Sequence, residues 1–492
     1  MDAVILWGDH SWAQAPGPDQ GIAELGQTGY QKYLGPYVIA QSLRSRGYSV
    51  AVLDITGMDY PTVTARVLSM VTAQTLWVGV STTFLVTGSF GIQNLRRDWP
   101  RVMAFSSRIR EQAPKCQFLA GGYFATAYRR LGWWIMKNHS DESIIDFTDW
   151  SAGHSPLYSP GKDRSIEGNH NRRFIDTAHQ WTDQDGVQQG ESLPMEISRG
   201  CRFSCAFCRY NLNGRAKNDY IRSELCLTTE IKNNHQQWAV NRYTLGDDTF
   251  NEDTDKLKKI ASAVDQSAVD FRFSAYLRLD ILESHPEQIS ILKDMGIENA
   301  MFGIESLDLR NGRAVGKSRD PRRQLDFLAD LKAKHWPRVG LHSGFILGLP
   351  WDQPGDSAQA LVDLAVSKDC PLDSLSVEAL NIIRPAWKKI WGENNTLSQF
   401  DRSAEDHGYT WLDPKSGEWT NTLTGMTASR AHKDAHWAIE QIYKKGSQTR
   451  IAGFHFNRLY NIGVAVEDLE SLNLRQLNEK YNLVEMSLAR LK

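Results

Sequence analysis

The feature that most restricts how this chain can fold is an alternation of short apolar runs with amphipathic stretches of helical period, and it is met twice. Over residues 1–145 the runs are "AVILWG", "YSVAVLDI", "TLWVGVSTT" and "CQFLAGGYFA", with stretches such as "YLGPYVIAQSLRSRG" between them. From 192 it resumes through "LPMEISRG", "RYTLGDD", "FRFSAYLR", "NAMFGIES", "VGLHSGFILGLP" and "SLSVEALNI". Strands covered on both faces by crossover helices read as nearly continuous apolar runs, so both blocks predict parallel sheets. The fold class is therefore α/β. A Rossmann-like doubly wound domain is expected over 1–145 and a polar connecting segment over 146–190. A partial (β/α)6 TIM-type barrel follows over 191–385, then a helical C-terminal region over 386–492 that caps the barrel mouth. In both sheets ligands are expected beyond the carboxyl ends of the strands.

Length fits this division, since 492 residues exceed what one core usually organises. A formal net charge of −2 provides no field to recruit nucleic acid or an acidic membrane, and the basic residues are dispersed. No apolar stretch approaches the roughly 20 residues of a membrane-spanning helix. "MDAVILWGDHSW" has an early acid and a short apolar run, which reads as a first strand and not a signal peptide. A cytoplasmic location is expected.

Of six cysteines, Cys116, Cys226 and Cys370 are scattered, which is no disulfide framework. Cys201, Cys205 and Cys208 crowd into "EISRGCRFSCAFCRY", after the first strand of the second block. Their spacing is C-x3-C-x2-C, with no fourth cysteine nearby. Three thiolates suit three irons of a 4Fe–4S cluster, leaving one iron open to another ligand. A structural zinc site is normally closed by four ligands, and neither a second cysteine pair nor a near histidine follows. Chance core cysteines fit poorly in a loop rich in Arg and Ser.

The motif, its place after a first barrel strand and the downstream strands resemble the radical S-adenosylmethionine (SAM) superfamily over about 192–385. The resemblance implies that SAM chelates the open iron through its amino and carboxylate groups. The reduced cluster then cleaves SAM to a 5′-deoxyadenosyl radical. Phe207 holds the family's aromatic position near the adenine. In "LGDDTF", Gly246 and Asp247 would accept hydrogen bonds from the SAM ammonium, with Asp248 beside them; two acids in a row depart from the usual turn. As a calcium loop the same string lacks the required glycine and glutamate. Ser274, Tyr276 and Arg278 alternate, so they share one face of the third strand. Arg278 resembles the partner of the SAM carboxylate, the alternative being an ion pair with Asp280. Glu305, ending an otherwise apolar strand, would bond the ribose or the methionine end of SAM. Ile346, Gly348 and Leu349 resemble the segment passing the adenine, although these glycines equally suit close strand packing. Lys317 resembles a lysine frequent after the Glu strand, or is a surface lysine.

A Rossmann-like domain before such a barrel resembles the cobalamin-binding class of the superfamily. Ser81, Thr82, Gly121 and Gly122 would let a corrin ring and its nucleotide tail approach backbone. The D-x-H-x-x-G motif that supplies a lower cobalt ligand is absent, since Asp9 and His10 in "GDHSW" are adjacent. With cobalamin, the resemblance implies methyl transfer to an unactivated centre. Without it, a radical oxidation, cyclisation or rearrangement is the alternative, and an iron–sulfur electron carrier or sensor is a distant one. A methylthiotransferase would need a second cysteine triplet where only Cys116 stands. Implied partners are a small-molecule or peptide substrate and a flavodoxin- or ferredoxin-type donor. His407, Trp411, Trp419 and His455 lie in the expected cap.

Overall fold

The computed structural model describes residues 1–8, 29–85, 89–91, 94–137, 141–154, 163–167, 172–210, 220–317, 320–385, 388, 397–413 and 415–491. Asp9 and His10 lie outside the described residues. Two compact units divide the chain. One holds the N-terminal strand and Tyr33–Gln188; the other holds Gln189–Arg490 and the segment ending at Lys32.

The first unit is built on a six-stranded parallel sheet of β1 (Ala3–Trp7), β2 (Val50–Asp54), β3 (Trp77–Ser81), β4 (Gln117–Gly121), β5 (Trp134–Lys137) and β6 (Ser165–Glu167). The spatial order is β2-β1-β3-β4-β5-β6, so connections leave in opposite directions from the β1/β3 boundary. That is where an open sheet of this kind offers a ligand crevice. Every residue of β1 is buried, as its unbroken apolar run requires. The expected connecting segment over 146–190 is more than a connection. It finishes the helix Asp141–Ser151 and supplies β6, and Asp185 then pairs with Arg44 at 2.8 Å. A three-residue edge strand has too little apolar pattern to stand out in sequence.

The second unit is a curved six-stranded parallel sheet of β7 (Leu193–Met195), β8 (Arg242–Leu245), β9 (Arg272–Leu277), β10 (Ile297–Glu305), β11 (Gly340–Leu347) and β12 (Ser374–Ala379), in simple sequential order. Between them run helices such as Glu224–Trp238, Thr254–Ser267, Pro321–Lys334 and Asp356–Val366. This is a partial barrel. Along β11 the outward Leu341, Ser343, Phe345 and Leu347 are buried, while the inward His342, Gly344 and Ile346 are half-buried. A filled barrel would bury both sets. The lumen is hollow where small residues face it: Gly246 and Gly344 have nothing closer than 3.6 Å to where a β-carbon would stand.

The C-terminal region is mainly helical but contains an antiparallel hairpin, β13 (Tyr409–Asp413) and β14 (Glu418–Asn421). It also serves both ends of the barrel, not the mouth alone. Residues 398–431 lie at the strand C-termini, where Phe400 N donates to Ala206 O (3.2 Å) and Tyr409 OH to Gly348 O (2.7 Å). Residues 450–460 close the opposite end. Arg450 donates to Arg338 O (2.7 Å), and Asn457 Nδ2 reaches Thr244 Oγ1 (2.6 Å) and Ser274 Oγ (3.2 Å). The helix Ala428–Lys444 runs beside β11 and β12 between these two closures.

Candidate active site at the strand C-termini of the barrel

The cysteine loop leaves the end of β7 through Gly200, whose φ of 98° turns the chain sharply. Cys201 is buried, with Sγ 3.4 Å from Thr249 Oγ1. Burial pushes its thiol pKa above the usual range, and the Thr249 hydroxyl works against that shift. Cys205 and Cys208 are half-buried on a turn closed by Cys208 N to Cys205 O at 3.0 Å. All three thiols are free of disulfides. Among the described residues no three His, Cys, Asp or Glu side chains gather around one point as for a single ion. The three thiols are carried by one loop.

Arg278 lies under this loop. Its guanidinium stands 3.9 Å from the Phe203 ring centre, Nη1 is 3.6 Å from Cys205 Sγ, and Asp280 takes two hydrogen bonds of 3.0 and 2.7 Å. The side chain expected to hold a carboxylate of SAM thus has its bidentate edge occupied, and it braces Cys205 instead. Phe207 packs half-buried with Ile346 against Leu349, Leu380, Tyr409 and Trp419. Gly348 (φ 96°) belongs to the same contact: a β-carbon there would stand 3.0 Å from both Ala431 and Trp419. Of the residues in the expected cap, Trp411 joins this cluster and the His407 ring meets Phe400 at 4.5 Å.

The acidic string after β8 is anchored at alternate residues. Asp247 is buried, accepting from Ile197 N (3.0 Å), the Ser198 hydroxyl and Lys256 Nζ (3.0 Å). Thr249 meets Cys201. Asn251 pairs with the backbone of Arg278 through both amide atoms, at 3.0 and 2.8 Å. Asp253 caps the helix Thr254–Ser267. Asp248 and Gly246 are left exposed to the hollow of the barrel. Of the two adjacent acids, Asp247 has its oxygens engaged inside the protein, and Asp248 is the one left exposed. Protein surrounds Asp248 even where water reaches it. Burial, then the Asp247 and Glu196 carboxylates, push its pKa up to about 7.

Glu305 ends β10 in the left-handed region, with φ 68°, after a register shift between Gly303 and Glu305. Such backbone costs about 1–3 kcal/mol and persists where the surroundings enforce it. Here the carboxylate folds back over Gly303, the very space a β-carbon would occupy. Lys317 Nζ stands 3.7 Å from Glu305 Oε1 and donates to Gly303 O at 3.0 Å, so this lysine belongs to the site. Burial raises the Glu305 pKa, opposed by Lys317.

Deeper in the lumen Tyr276 meets Phe454 edge-on at 4.9 Å, and His342 bonds Ser374 (2.8 Å) and Ser376 (3.3 Å). His455, expected near the mouth, lies in the closure of the far end, on the short helix Phe454–Tyr460. Ser274 does not reach the site: it is wholly buried between the amides of Asn299 and Asn457, both at 3.2 Å.

In the first unit, the residues expected at the corrin shape turns. Thr82 is buried, with N and Oγ1 both 2.8 Å from Gly121 O, and its hydroxyl accepts from Phe124 N at 3.0 Å. Gly122 has φ 92° against Thr83, and Ser81 is half-buried at the end of β3. The same unit holds a cavity of about 730 Å³ lined by Thr56–Tyr60, Leu85, Arg97, Arg101 and Phe105, and none of Ser81, Thr82, Gly121 and Gly122 lines it.

With this geometry in place, the sequence of the barrel decides its family: a model of the radical SAM superfamily matches residues 195–361. The barrel is a radical SAM domain. Over 233 residues the chain is 25% identical to a Pyrococcus horikoshii protein named as an uncharacterized methyltransferase, covering 47% of each. It thus spans about half the length of that curated relative. The fold of both units is shared with solved cobalamin enzymes of the radical SAM kind. One is the radical SAM methyltransferase TsrM from Kitasatospora setae, solved with cobalamin and a [4Fe-4S] cluster (TM-score 0.56, 14% identity, 84% of this chain and 76% of that one). Another is the cobalamin-dependent radical enzyme OxsB, solved with aqua-cobalamin and SAM (TM-score 0.61, 12% identity, 100% and 72%). Sequence reasoning about the radical SAM domain missed Gly303, Thr249, Asn251 and Lys256. A glycine two places before a lone carboxylate was a usable signal; the others carried none.

Proposed function

We propose that this chain cleaves SAM reductively at a 4Fe–4S cluster held by Cys201, Cys205 and Cys208, and delivers a methyl group through cobalamin held by its N-terminal unit. The observation that carries the reading is the set of three thiols, none in a disulfide, on one loop after the first strand of a half-barrel whose later strand ends carry Asp248 and Glu305. The donor set fits the cluster in kind: three cysteine thiols on one loop suit three irons and leave the fourth open to another ligand. When bound, the cluster supplies the electron that breaks a C–S bond of SAM, and cobalamin supplies a transferable methyl group.

This chain's own residues bind and orient. Asp248 is the acceptor suited to the SAM ammonium, and Glu305, braced by Lys317, suits its hydroxyls or its amino-acid end. Arg278 steadies Cys205, and Phe207 with Ile346 forms an apolar wall for an adenine. Ser81, Gly121 and Gly122 are small enough at their strand ends to admit a large ring. The relatives support this reading, since TsrM was solved with cobalamin and a cluster, and OxsB with cobalamin and SAM. A small-molecule or peptide substrate and a flavodoxin- or ferredoxin-type donor complete the reaction, in a reducing compartment such as the cytoplasm. Among the described residues no helix is long and apolar enough to cross a membrane.

The test is anaerobic reconstitution with iron, sulfide and hydroxocobalamin, followed by reductant and SAM. Deoxyadenosine and near-stoichiometric methylcobalamin are expected. Deoxyadenosine without retained corrinoid turns the reading to a non-methylating radical reaction. Deoxyadenosine from Cys205→Ala overturns it altogether.

A further inference from the structure

The neck of the cysteine loop closes over one buried ammonium. Lys256 lies in the first turn of the helix Thr254–Ser267 with no side-chain exposure. Its Nζ donates to Ser198 Oγ (2.7 Å), Asp247 Oδ1 (3.0 Å) and Glu252 Oε1 (3.2 Å), which uses all of its donors. These acceptors gather both strands of the neck. Asp247 also holds Ile197 N on the outgoing chain, and Glu252 Oε2 accepts from Tyr220 OH (3.3 Å) on the returning one. Ser198 bridges Ile221, Arg222 N donates to Ile197 O (3.0 Å), and Arg199 N to Tyr220 O (3.3 Å). The network therefore decides where the loop carrying all three cysteines begins and ends. It also has one more carboxylate than ammonium, Asp247 and Glu252 against Lys256.

We propose that Lys256 is the positioning residue of the cysteine loop, and that the excess carboxylate around it holds the cluster at a lower reduction potential than the loop would give without it. This rests on the cluster proposed above. An added electron is disfavoured by a nearby fixed negative charge, and the protein interior screens that charge weakly. A buried lysine stripped from two carboxylates leaves them uncompensated, which destabilises whatever they hold.

The experiment uses the full chain, reconstituted without oxygen, as wild type, Glu252→Gln, Lys256→Met and Lys256→Arg. Iron and sulfide per chain are assayed, and the potential is read by titration followed by electron paramagnetic resonance, with neither SAM nor substrate. Glu252→Gln keeps an acceptor for the ammonium and removes one charge. It is expected to take up a full cluster whose potential rises by about 59 mV, a tenfold shift of a one-electron equilibrium. Lys256→Met is expected to bind less than about half the wild-type iron, and as apoprotein to be cut faster between Cys201 and Tyr210, while Lys256→Arg recovers part of the loss. A full cluster at unchanged potential in Glu252→Gln overturns the electrostatic role. Full iron and unaltered proteolysis in Lys256→Met overturn the positioning role. Wild-type protein that assembles no cluster overturns the functional reading beneath both, and is told apart because it fails before any variant is compared.

Discussion

The chain contains two six-stranded parallel sheets of similar sequence pattern, and their carboxyl ends are furnished in opposite ways. In the first, backbone, hydroxyls and glycines dominate: Thr82 bonds Gly121 O, Gly122 turns against Thr83, and Phe84 stacks on Tyr33 at 3.7 Å with its ring partly exposed. In the second, thiols, carboxylates and cations converge: Cys201, Cys205, Cys208, Asp248, Glu305, Lys317 and Arg278. The difference teaches what each sheet can do. A surface of backbone and flat rings accommodates a large preformed group by shape. A surface of charged and soft donors chelates, pairs and positions reacting groups.

Substitutions in the barrel should therefore stop SAM cleavage, and those in the first sheet should spare it. The largest effect is expected from Cys208→Ala, which should leave no deoxyadenosine above background by chromatography while corrinoid retention persists. Retained cleavage would break the comparison. Next come Glu305→Gln and Gly303→Ala. The second pushes the carboxylate and Lys317 out of the space over residue 303, and both should lose about 10²-fold in deoxyadenosine rate. Equal rates for Gly303→Ala and wild type would show that the folded-back Glu305 is not the working position.

Asp248 and Asp247 sharpen the comparison inside the barrel. Asp248 has a folded pKa of about 7, above the ordinary 3.8, so it gains its charge as pH rises through 7. SAM affinity, measured by calorimetry on the reconstituted protein, should rise about tenfold from pH 6 to 8, following the ionised fraction. The stability sign is opposite. The folded state holds this proton more tightly than the unfolded one, so Asp248 favours folding at low pH, and its contribution is lost from about pH 4 to 7. Asp248→Asn should flatten both trends and raise the Tm at pH 7, where the wild type has lost that contribution. Asp247→Asn should instead lower the Tm, because Lys256 and Ile197 lose a partner. The smallest effect on chemistry is expected from Gly122→Ala, where φ is 92° and Thr83 crowds the site. It should destabilise the first unit by about 1–3 kcal/mol and release corrinoid on desalting, with deoxyadenosine formation unchanged. A loss of cleavage there would show that the two sheets do not divide the work.

Much of this was legible beforehand. The strand runs place β1–β4 and β7–β12 because burial on both faces leaves an apolar signature that needs no partner to be read. The cysteine spacing is equally local. Glu305 stood out as a carboxylate ending the apolar run "MFGIE", and it does end β10. Edge strand β6 was missed because three residues cannot establish a period. Asp247 and Asp248 could not be told apart because, in neighbouring residues, sequence shows the charge and not its direction. Ser274 shares a strand face with Tyr276 and Arg278 as alternation requires. It faces the opposite end of the barrel, a distinction of depth that period two does not carry.

The sequence by itself determined the α/β class, two blocks of parallel strands and a three-thiol loop after the first barrel strand, since periodicity, spacing and composition are properties of neighbouring residues. Tertiary structure alone decided which of two adjacent acids was spent on Lys256, that Arg278 braces Cys205, and that Glu305 bends over a glycine. It also decided that residues beyond 450 seal the far end of the barrel. Each of these depends on groups tens to hundreds of positions apart meeting within hydrogen-bonding distance, and that meeting is fixed by how helices and strands pack, a quantity no local pattern encodes.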